Sequence, residues 1–292
     1  MSLLYDLQGG FLVQGVKIVK CSEAGIIAQS INLESVGNAR ELGGYPTLYG
    51  KRVKRGVFLR TAELAKISSR DIARLTEIYH LAVIADLRMS SEVADLPDPV
   101  IGGVKYVNLR VINEESHKEL FDQQAAVKDD TIKSLMIIVD SGFMTDKLYI
   151  EFLAEESGKH AYREFFREIL ALPPGRSILF HCSQGKDRTG CAAMLILSAL
   201  GVSEDIIMND YVLTNTFNAE AIASQRKMLL SRGMTESEVA KYMPVLDEVN
   251  PQFMANVLSW LRENYGSPVG YIIDALGLTE KDIETLRTKF LE

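Results

Sequence analysis

The chain has few cysteines, an excess of negative charge and no long apolar run, and each of these features excludes a class of protein. Its 292 residues include three cysteines, Cys21, Cys182 and Cys191, spaced too widely along the sequence for a disulfide framework or a paired metal site. The formal net charge of -7 at pH 7 disfavours nonspecific attraction to nucleic acid or to an anionic membrane. Any anion that the chain binds must therefore be attracted by a local site.

No apolar run reaches the roughly 18 residues that a membrane-spanning helix needs, so we expect no stable insertion into a membrane. The N-terminal sequence MSLLYDLQGG has no basic leader, and Asp6 interrupts its apolar residues, which is not typical of a signal peptide. We expect a cytoplasmic protein, or a secreted one whose signal peptide has been removed. Nucleic acid is not an expected partner, and the sequence indicates no particular oligomeric state.

Short apolar runs between turn residues predict the strands of a buried sheet. These runs lie at residues 10 to 19, 56 to 60, 81 to 87, 104 to 109 and 177 to 180. Helical patterns alternate with them, and Ser68 begins an amphipathic helix with Ile72, Leu75 and Ile78 on one face. The alternation predicts an α/β fold in which helices flank a mostly parallel central sheet.

No repeat or low-complexity linker divides the sequence, so we predict one domain over residues 1–292. Residues 113 to 158 are charged and irregular with helical patches, which indicates an insertion that lies over the rest of the domain. Residues 203 to 292 have helical patterns throughout, and Thr279 is the expected N-cap of the last helix.

The most informative stretch is HCSQGKDRTG, residues 181 to 190. It lies between the apolar strand SILF and the segment CAAMLILSALG, which is apolar on all sides and predicts a buried helix. Its amides therefore lie at a helix N-terminus, where unpaired N–H groups and the helix dipole attract anions. It is not a Walker loop, because Phe180 stands where that pattern needs a glycine and Asp187 where it needs Ser or Thr.

Cys182 and Arg188 bracket this loop with five residues between them. A helix N-terminus and nearby cations favour the thiolate, the reactive form of a cysteine, so Cys182 is the candidate nucleophile. The planar guanidinium of Arg188 can bind two phosphoryl oxygens at once, as a lysine cannot. The pattern predicts hydrolysis of a phosphomonoester through a cysteinyl-phosphate intermediate. Cys21 and Cys191 are interpreted as ordinary buried cysteines.

The phosphate is expected to be held by the loop itself: Ser183, Gln184, Gly185, Lys186, Asp187 and Arg188. Two flanking residues are expected to support the loop. His181 can orient it through backbone hydrogen bonds, and the Thr189 hydroxyl can donate to the sulfur of Cys182.

Such a phosphatase also needs an acid that protonates the leaving oxygen, and two candidates stay open. Asp187 lies inside the loop and has the better claim by proximity. Asp86 ends the strand LAVIAD, and the carboxyl ends of parallel strands share one edge of the sheet. The alternative for Asp86 is a structural ion pair with Arg88.

Arg60 and Arg88 lie at or just after strand ends and are expected to face the same edge of the sheet. Asp95 and Asp98, in the segment DLPDP, follow directly after this region and are interpreted as turn residues.

HCSQGKDRTG resembles the active-site loop of the bacterial atypical tyrosine-protein phosphatases, a cysteine-dependent family that includes mycobacterial and Listeria secreted enzymes. Other segments are similar to further motifs of that family: NARELGGY from Asn38, RGVFLRTAEL from Arg55, ADLRMSSEV from Ala85, NDYVLTN from Asn209, and the C-terminal ALGLTEKDIETLRTKFL. The resemblance covers most of the chain from residue 38 onward, and the loop is its most specific part.

The resemblance implies a protein-tyrosine-phosphatase-like fold and hydrolysis without a metal or another cofactor. Its substrates would be phosphotyrosine proteins, with activity on phosphoserine, phosphothreonine or phosphoinositides also implied. Cys182, Asp187 and Arg188 match the nucleophile, the acid within the loop and the phosphate-binding arginine, and Lys186 matches the position associated with lipid phosphates. No Trp-Pro-Asp acid loop precedes Cys182, which supports Asp187 as the acid.

Three alternatives stay open at this point. Mycobacterial relatives have a helical lid, so residues 113 to 158 are interpreted either as such a lid or as a solvated surface insertion. A phosphoinositide phosphatase would use the same site with the same chemistry. A catalytically inactive phosphate-binding module is less favoured, because Cys182, Asp187 and Arg188 are all present, and the loop does not favour sulfur transfer of the rhodanese kind.

Overall fold

The computed structural model of the chain describes residues 11 to 13, 16 to 18 and 29 to 292, except 128 and 247. For residues 11 to 13, 16 to 18, 131 and 244 to 246 it describes the backbone only. The remainder of the predicted strand region at residues 10 to 19 lies outside the described residues.

The described strands are β1 (Phe11–Val13), β2 (Val16–Ile18), β3 (Gln29–Ser30), β4 (Arg40–Glu41), β5 (Phe58–Thr61), β6 (Leu81–Asp86), β7 (Lys105–Asn108) and β8 (Ser177–His181). The described α-helices are α1 (Ser69–Ala73), α2 (Ser90–Asp95), α3 (Lys118–Ala125), α4 (Thr131–Asp140), α5 (Asp146–Ala154), α6 (Glu156–Ala171), α7 (Asp187–Ala199), α8 (Glu204–Phe217), α9 (Ala219–Ser231), α10 (Glu236–Leu246), α11 (Pro251–Tyr265), α12 (Pro268–Asp274) and α13 (Glu280–Phe290).

Strands β3 to β8 form a mixed sheet in the order β3-β4-β5-β8-β6-β7. β5, β8, β6 and β7 run parallel to one another, and β3 and β4 add an antiparallel edge. This arrangement confirms the predicted α/β fold with a mostly parallel sheet. Since Asp86 and Thr61 both pair with His181, the carboxyl ends of β5, β6 and β8 lie at one edge, beside the residue that follows β8, Cys182.

The sheet has a hydrophobic core on each face because side chains alternate along its strands. In β8, Ile178 and Phe180 belong to the larger core, which includes α6 and α7, whereas Leu179 belongs to the smaller core with Leu59 and Leu75. Burial of one such side chain contributes about 1.5–3 kcal/mol, so the centre of the sheet is a rigid support for the loop that follows it. Helix α7 is buried from Arg188 to Ala199, as its apolar sequence predicts.

The helix that begins after Ser68 differs from the prediction. Ser68 is its N-cap and accepts a hydrogen bond from Asp71 N, but α1 ends at Ala73 and a π-helical turn follows at Arg74–Ile78. The wider turn rotates the next side chains relative to an α-helical face. Leu75 is buried as predicted, whereas Ile78 is 58% exposed, so its predicted place on the apolar face is wrong.

Residues 113 to 158 divide into two parts. Helix α5 belongs to the main core through Leu148, Tyr149, Phe152 and Leu153, all buried. Helix α4 packs elsewhere, since its Leu135 joins a separate cluster formed with residues of α9 and α10. The interpretation of the whole segment as a solvated surface insertion is therefore wrong for α5.

Residues 204 to 290 fold as the helices α8 to α13, and Thr279 caps α13 through a hydrogen bond from Asp282 N. Within the described part of the chain, no helix has both the length and the hydropathy that a membrane span requires.

Candidate active site

The loop between β8 and α7 forms the floor of a cleft of about 830 Å³. Cys182 is the first residue after β8, Asp187 is the first residue of α7, and both line the cleft together with Arg188. Cys182 is 1% exposed, so its sulfur is accessible only through the cleft. The sequence therefore places the strand, the loop and the helix N-terminus as predicted, with the cysteine and the arginine at one surface.

Gly185 lets the loop approach the end of β5. Its φ is +66°, in the left-handed region, and a Cβ atom there would lie 2.1 Å from the carbonyl oxygen of Thr61. No side chain fits at that distance, so the turn of the loop depends on glycine.

Two side chains outside the loop hold its carbonyl groups. Asn38 Nδ2 donates to the carbonyl oxygens of Gln184 and Gly185 at 3.2 and 2.9 Å, and Arg60 Nη2 donates to that of Gly185 at 2.8 Å. In a trans peptide the following N–H points opposite to the carbonyl. The amides of Gly185 and Lys186 are therefore turned away from Asn38 and Arg60, as an anion-binding loop requires.

Asp210 of α8 connects these supports. Its carboxylate lies 2.6 Å from Arg60 Nη1 and 3.2 Å from Arg40 Nε, and accepts from the Tyr45 hydroxyl at 3.0 Å. Burial alone would raise the pKa of Asp210, but the positive charges of Arg40 and Arg60 outweigh it and hold that pKa below its ordinary value. Burial and the neighbouring Arg40 in turn lower the pKa of Arg60 to about 10. The motifs around residues 38, 60 and 210 thus meet under the loop.

Glu92 of α2 is the main site residue to which the sequence analysis gave no role. Its carboxylate pairs end-on with Arg188, at 2.5 Å (Nη1–Oε2) and 2.9 Å (Nη2–Oε1), and also accepts from the Ser183 hydroxyl. Burial alone would raise the pKa of Glu92, but the Arg188 charge and these hydrogen bonds hold it at about 2. The sequence does contain a signal for a role of Glu92, because this residue belongs to the family-like segment ADLRMSSEV.

The end-on pair leaves one edge of the Arg188 guanidinium for a ligand. Glu92 takes one hydrogen from each terminal nitrogen, so Nε–H and the remaining hydrogen of the adjacent Nη stay available as a parallel pair. Two parallel N–H donors match two oxygens of a phosphoryl group. The ion pair therefore fixes the orientation of Arg188 and keeps its phosphate-binding edge open.

Asp187 is held by Tyr149 of α5. The Tyr149 hydroxyl donates to Asp187 Oδ1, and it lies 2.8 Å from the hydroxyl of Tyr211. Lys186 Nζ lies 3.9 Å from Asp187 Oδ2 and donates to the carbonyl oxygen of Glu248 at 3.1 Å. No role was predicted for either tyrosine: Tyr211 lies in the family-like segment NDYVLTN, but Tyr149 lies in none of the family-like segments.

Asp86 does not line the cleft, so the structure argues against it as the acid. It is fully buried, and its carboxylate accepts from Arg88 Nε and Nη2 and from the Tyr106 hydroxyl. Burial alone would raise the pKa of Asp86, but His181 and the donors of Arg88 and Tyr106 hold it below its ordinary value. A buried carboxylate so paired stays ionised, so the structural ion pair with Arg88 is the interpretation that the structure supports.

Asp98 belongs to the same buried cluster, and its interpretation as a turn residue is incomplete. Its side chain is 1% exposed, lies 2.9 Å from Arg88 Nη2 and 2.8 Å from His181 Nε2. His181 Nδ1 lies 3.1 Å from the Cys182 carbonyl oxygen. Burial alone would lower the pKa of His181, but Asp98 and Asp86 outweigh it and raise that pKa above its ordinary value.

Thr189 differs from the expectation. It is fully buried, and among the described residues its hydroxyl oxygen forms no hydrogen bond, so the expected donation to the Cys182 sulfur is not formed.

Apolar side chains form part of the cleft lining. Those from residues 113 to 158 include Phe121, Leu135, Ile138, Phe143, Met144 and Leu148, and the polar Gln124 and Ser134 lie beside them. An anion held by the loop would therefore share the cleft with a largely apolar surface.

Comparison with known proteins gives this site a family. Residues 31–292 match the model of the tyrosine phosphatase family. The chain is 28% identical to a candidate tyrosine-protein phosphatase of Cupriavidus necator over 259 residues, which is 88% of this chain and 87% of that one. It is also 28% identical to the triple specificity protein phosphatase PtpB of Mycobacterium tuberculosis, over 80% of this chain and 91% of that one. The family resemblance that the loop indicated is thus confirmed over almost the whole described chain, and the protein belongs to the tyrosine phosphatase family.

Proposed function

We propose that this phosphatase hydrolyses phosphotyrosine in proteins through a cysteinyl phosphate on Cys182. The observation that carries the proposal is that Cys182 and Arg188 line one cleft, over a loop whose amides are turned away from its supports. The apolar part of the cleft lining suits the ring of a phosphotyrosine. The family resemblance extends the proposal to phosphoserine and phosphothreonine, and the name of the mycobacterial relative, a triple specificity protein phosphatase, indicates more than one specificity in that protein.

In the first step the Cys182 thiolate attacks phosphorus in line with the leaving oxygen. An S–P bond forms as the P–O bond to the tyrosyl group breaks, and the electron pair of that bond goes to the leaving oxygen. Arg188 and the loop amides bind the equatorial oxygens, where negative charge spreads in the transition state. Asp187, in its neutral form, gives its proton to the leaving oxygen.

In the second step water attacks the phosphorus of the intermediate. Asp187, now ionised, accepts a proton from that water, and the S–P bond breaks with its electron pair returning to sulfur. Inorganic phosphate leaves, and Cys182 and Asp187 return to their starting forms.

We further propose that α3 and α4 act as a lid over this chemistry. Support comes from Phe121 and Leu135, which line the cleft, and from α4, which packs against α9 and α10 and not against the main core. A wall of this kind excludes water from the transferring phosphoryl group.

Turnover of an aryl phosphate tests the proposal. Cys182→Ser should lower kcat by at least about 10³-fold, because serine is a far poorer nucleophile without a base. Cys191→Ala is the matched control, since Cys191 is buried one turn into α7 and does not line the cleft. Retained activity in Cys182→Ser would overturn the mechanism.

Phosphoinositide hydrolysis is the second candidate, and the volume of the cleft and the presence of Lys186 in its lining favour testing it. A panel of phosphopeptides and soluble short-chain phosphoinositides decides between them. Preference for phosphopeptides, with Lys186→Ala lowering both activities equally, supports the protein substrate. A selective loss of lipid turnover in Lys186→Ala would support the lipid.

A further inference from the structure

The acid of the proposed mechanism is held from behind by residues that do not touch the cleft. Tyr149 and Tyr211 are each 1% exposed, and neither lines the cleft that Asp187 lines. Their hydroxyl groups are therefore shielded from solvent, and the hydrogen bond from Tyr149 to Asp187 Oδ1 does not compete with water.

The direction of the hydrogen bonds follows from the number of protons. A tyrosine hydroxyl has one hydrogen. Because Tyr149 gives its hydrogen to Asp187, the contact of 2.8 Å between the two tyrosines must be donated by Tyr211. The chain of donors therefore runs from Tyr211 to Tyr149 and ends on Oδ1 of Asp187.

Tyr149 stays protonated, and therefore stays a hydrogen-bond donor, near neutral pH. Burial, with Asp187 and Tyr211 as neighbours, raises the pKa of Tyr149 well above its ordinary value, so its hydroxyl keeps its hydrogen. Oδ1 of the ionised Asp187 is thus occupied by a donor, and a proton that Asp187 takes up from the cleft goes to Oδ2.

The rings of the two tyrosines fix the position of this donor. Tyr149 packs edge-to-face against Tyr211, with ring centroids 6.2 Å apart, and against Phe253, with centroids 5.4 Å apart. Aromatic pairs of this geometry hold one another in place, so the Tyr149 hydroxyl has little freedom to follow a moving carboxylate.

We propose that Tyr149, assisted by Tyr211, is a positioning residue that fixes the Asp187 carboxyl so that Oδ2 carries its proton to the leaving oxygen. The inference rests on the proposed function, in which Asp187 is the acid. Without the Tyr149 hydroxyl the carboxyl can rotate about its terminal torsion and present either oxygen to the cleft, and a small misplacement of a reacting group is enough to slow its step.

The dependence of kcat/KM on the leaving group tests the inference, because kcat/KM reports the step in which the P–O bond breaks. Dinitrophenol leaves without help, whereas phenol, about as basic as tyrosine, needs a proton. Tyr149→Phe should lower kcat/KM for phenyl phosphate by about tenfold and for dinitrophenyl phosphate by less than about threefold. Tyr211→Phe should show the same pattern more weakly, and provides a second variant if Tyr149→Phe fails to fold.

Tyr271→Phe is the matched control. Tyr271 is fully buried, and its hydroxyl donates to the carbonyl oxygen of Leu153, in the same helix as Tyr149, at 2.8 Å. The substitution removes a similar buried hydrogen bond without touching Asp187. It should change both substrates by the same small factor, as a merely structural effect does.

Asp187→Asn separates failure of this inference from failure of the proposed function. If Asp187→Asn leaves the dependence on the leaving group unchanged, Asp187 is not the acid and the proposed function fails at that residue. If Asp187→Asn steepens it and Tyr149→Phe does not, only the role of Tyr149 is overturned. Tyr149→Phe added to Asp187→Asn should cause no further steepening, because the two residues act as one unit.

Discussion

Glu92 meets Arg188 end-on, with its two carboxylate oxygens on the two terminal nitrogens at 2.5 and 2.9 Å, and both residues line the cleft. The arginine is therefore oriented before a phosphoryl group arrives, and the entropy of fixing its side chain is not lost during the reaction.

Replacement of Glu92 tests this orientation. In Glu92→Gln the amide offers one acceptor and no charge, so we expect kcat to fall by about tenfold to a hundredfold as Arg188 loses its fixed position. Glu114→Gln is the control, because both glutamates accept from amides at the start of α2: Glu92 from Met89 N at 2.8 Å, and Glu114 from Ser90 N and Ser91 N at 2.9 and 3.0 Å. Steady-state kinetics on an aryl phosphate should show near wild-type kcat in Glu114→Gln. Equal losses of kcat in the two variants would mean that kcat depends on the hydrogen bonds at the start of α2 and not on the orientation of Arg188.

The pH dependence of stability provides a second test of the same pair. A folded-state pKa below the ordinary value means that Glu92 contributes stability that is present above its ordinary pKa of 4.5 and is lost as the pH falls towards about 2. Urea unfolding between about pH 6 and pH 3 should therefore show Glu92→Gln less stable than wild type near neutrality, with the difference shrinking in acid. A difference that stays constant with pH would contradict the ion pair.

Gly185 is expected to tolerate no side chain. Gly185→Ala adds the strain of a positive φ and a clash with the backbone of Thr61, whereas Gly175→Ala, at a φ of +72° with nothing within 4 Å, adds the strain alone. We expect Gly175→Ala to cost about 1 kcal/mol of unfolding free energy, and Gly185→Ala a further 1–3 kcal/mol. Gly185→Ala should also lower kcat/KM by more than about tenfold, since the loop moves. Equal stability and activity in the two variants would show that the loop is not packed in this way.

His181 is expected to keep its proton above the pH at which an ordinary histidine loses it. The groups that face it are Asp98, Asp86 and the Cys182 carbonyl oxygen. Because its pKa is raised on folding, His181 contributes stability that is fully present below about pH 6.5 and is lost as the pH rises through its folded-state pKa. An NMR titration of the ring signals of the four histidines should show one signal that titrates above the ordinary histidine pKa of about 6.5, and that signal should be absent in His181→Asn. A His181 signal at or below the ordinary value would contradict the cluster.

The part of the site that is continuous in sequence was predictable. A strand, a glycine-containing loop and a buried helix follow one another from residue 177 to 199, so Cys182, Asp187 and Arg188 reach one cleft by local geometry alone. The parallel sheet was predictable for a similar reason, because its strands are short apolar runs between helical patterns.

The contacts that join distant segments were not predictable from the residues alone. Asp98 lies in an irregular segment between two prolines, and only the folded chain shows that its side chain is buried against Arg88. Tyr149 lies in a segment whose pattern resembles an insertion, yet α5 packs into the main core. Ile78 fits an α-helical face, and a π-helical turn, which no residue pattern indicates, moves it to the surface.

The most direct test of the account is a search for the phosphoryl group on Cys182. Asp187→Asn should slow the second step, so that rapid acid quenching during turnover of dinitrophenyl phosphate traps the intermediate for intact-mass and peptide mass spectrometry. We predict one added phosphoryl group per chain, on the peptide that contains Cys182 and absent in Cys182→Ser. A phosphoryl group on another residue, or turnover by Cys182→Ser at the wild-type rate, would contradict the account.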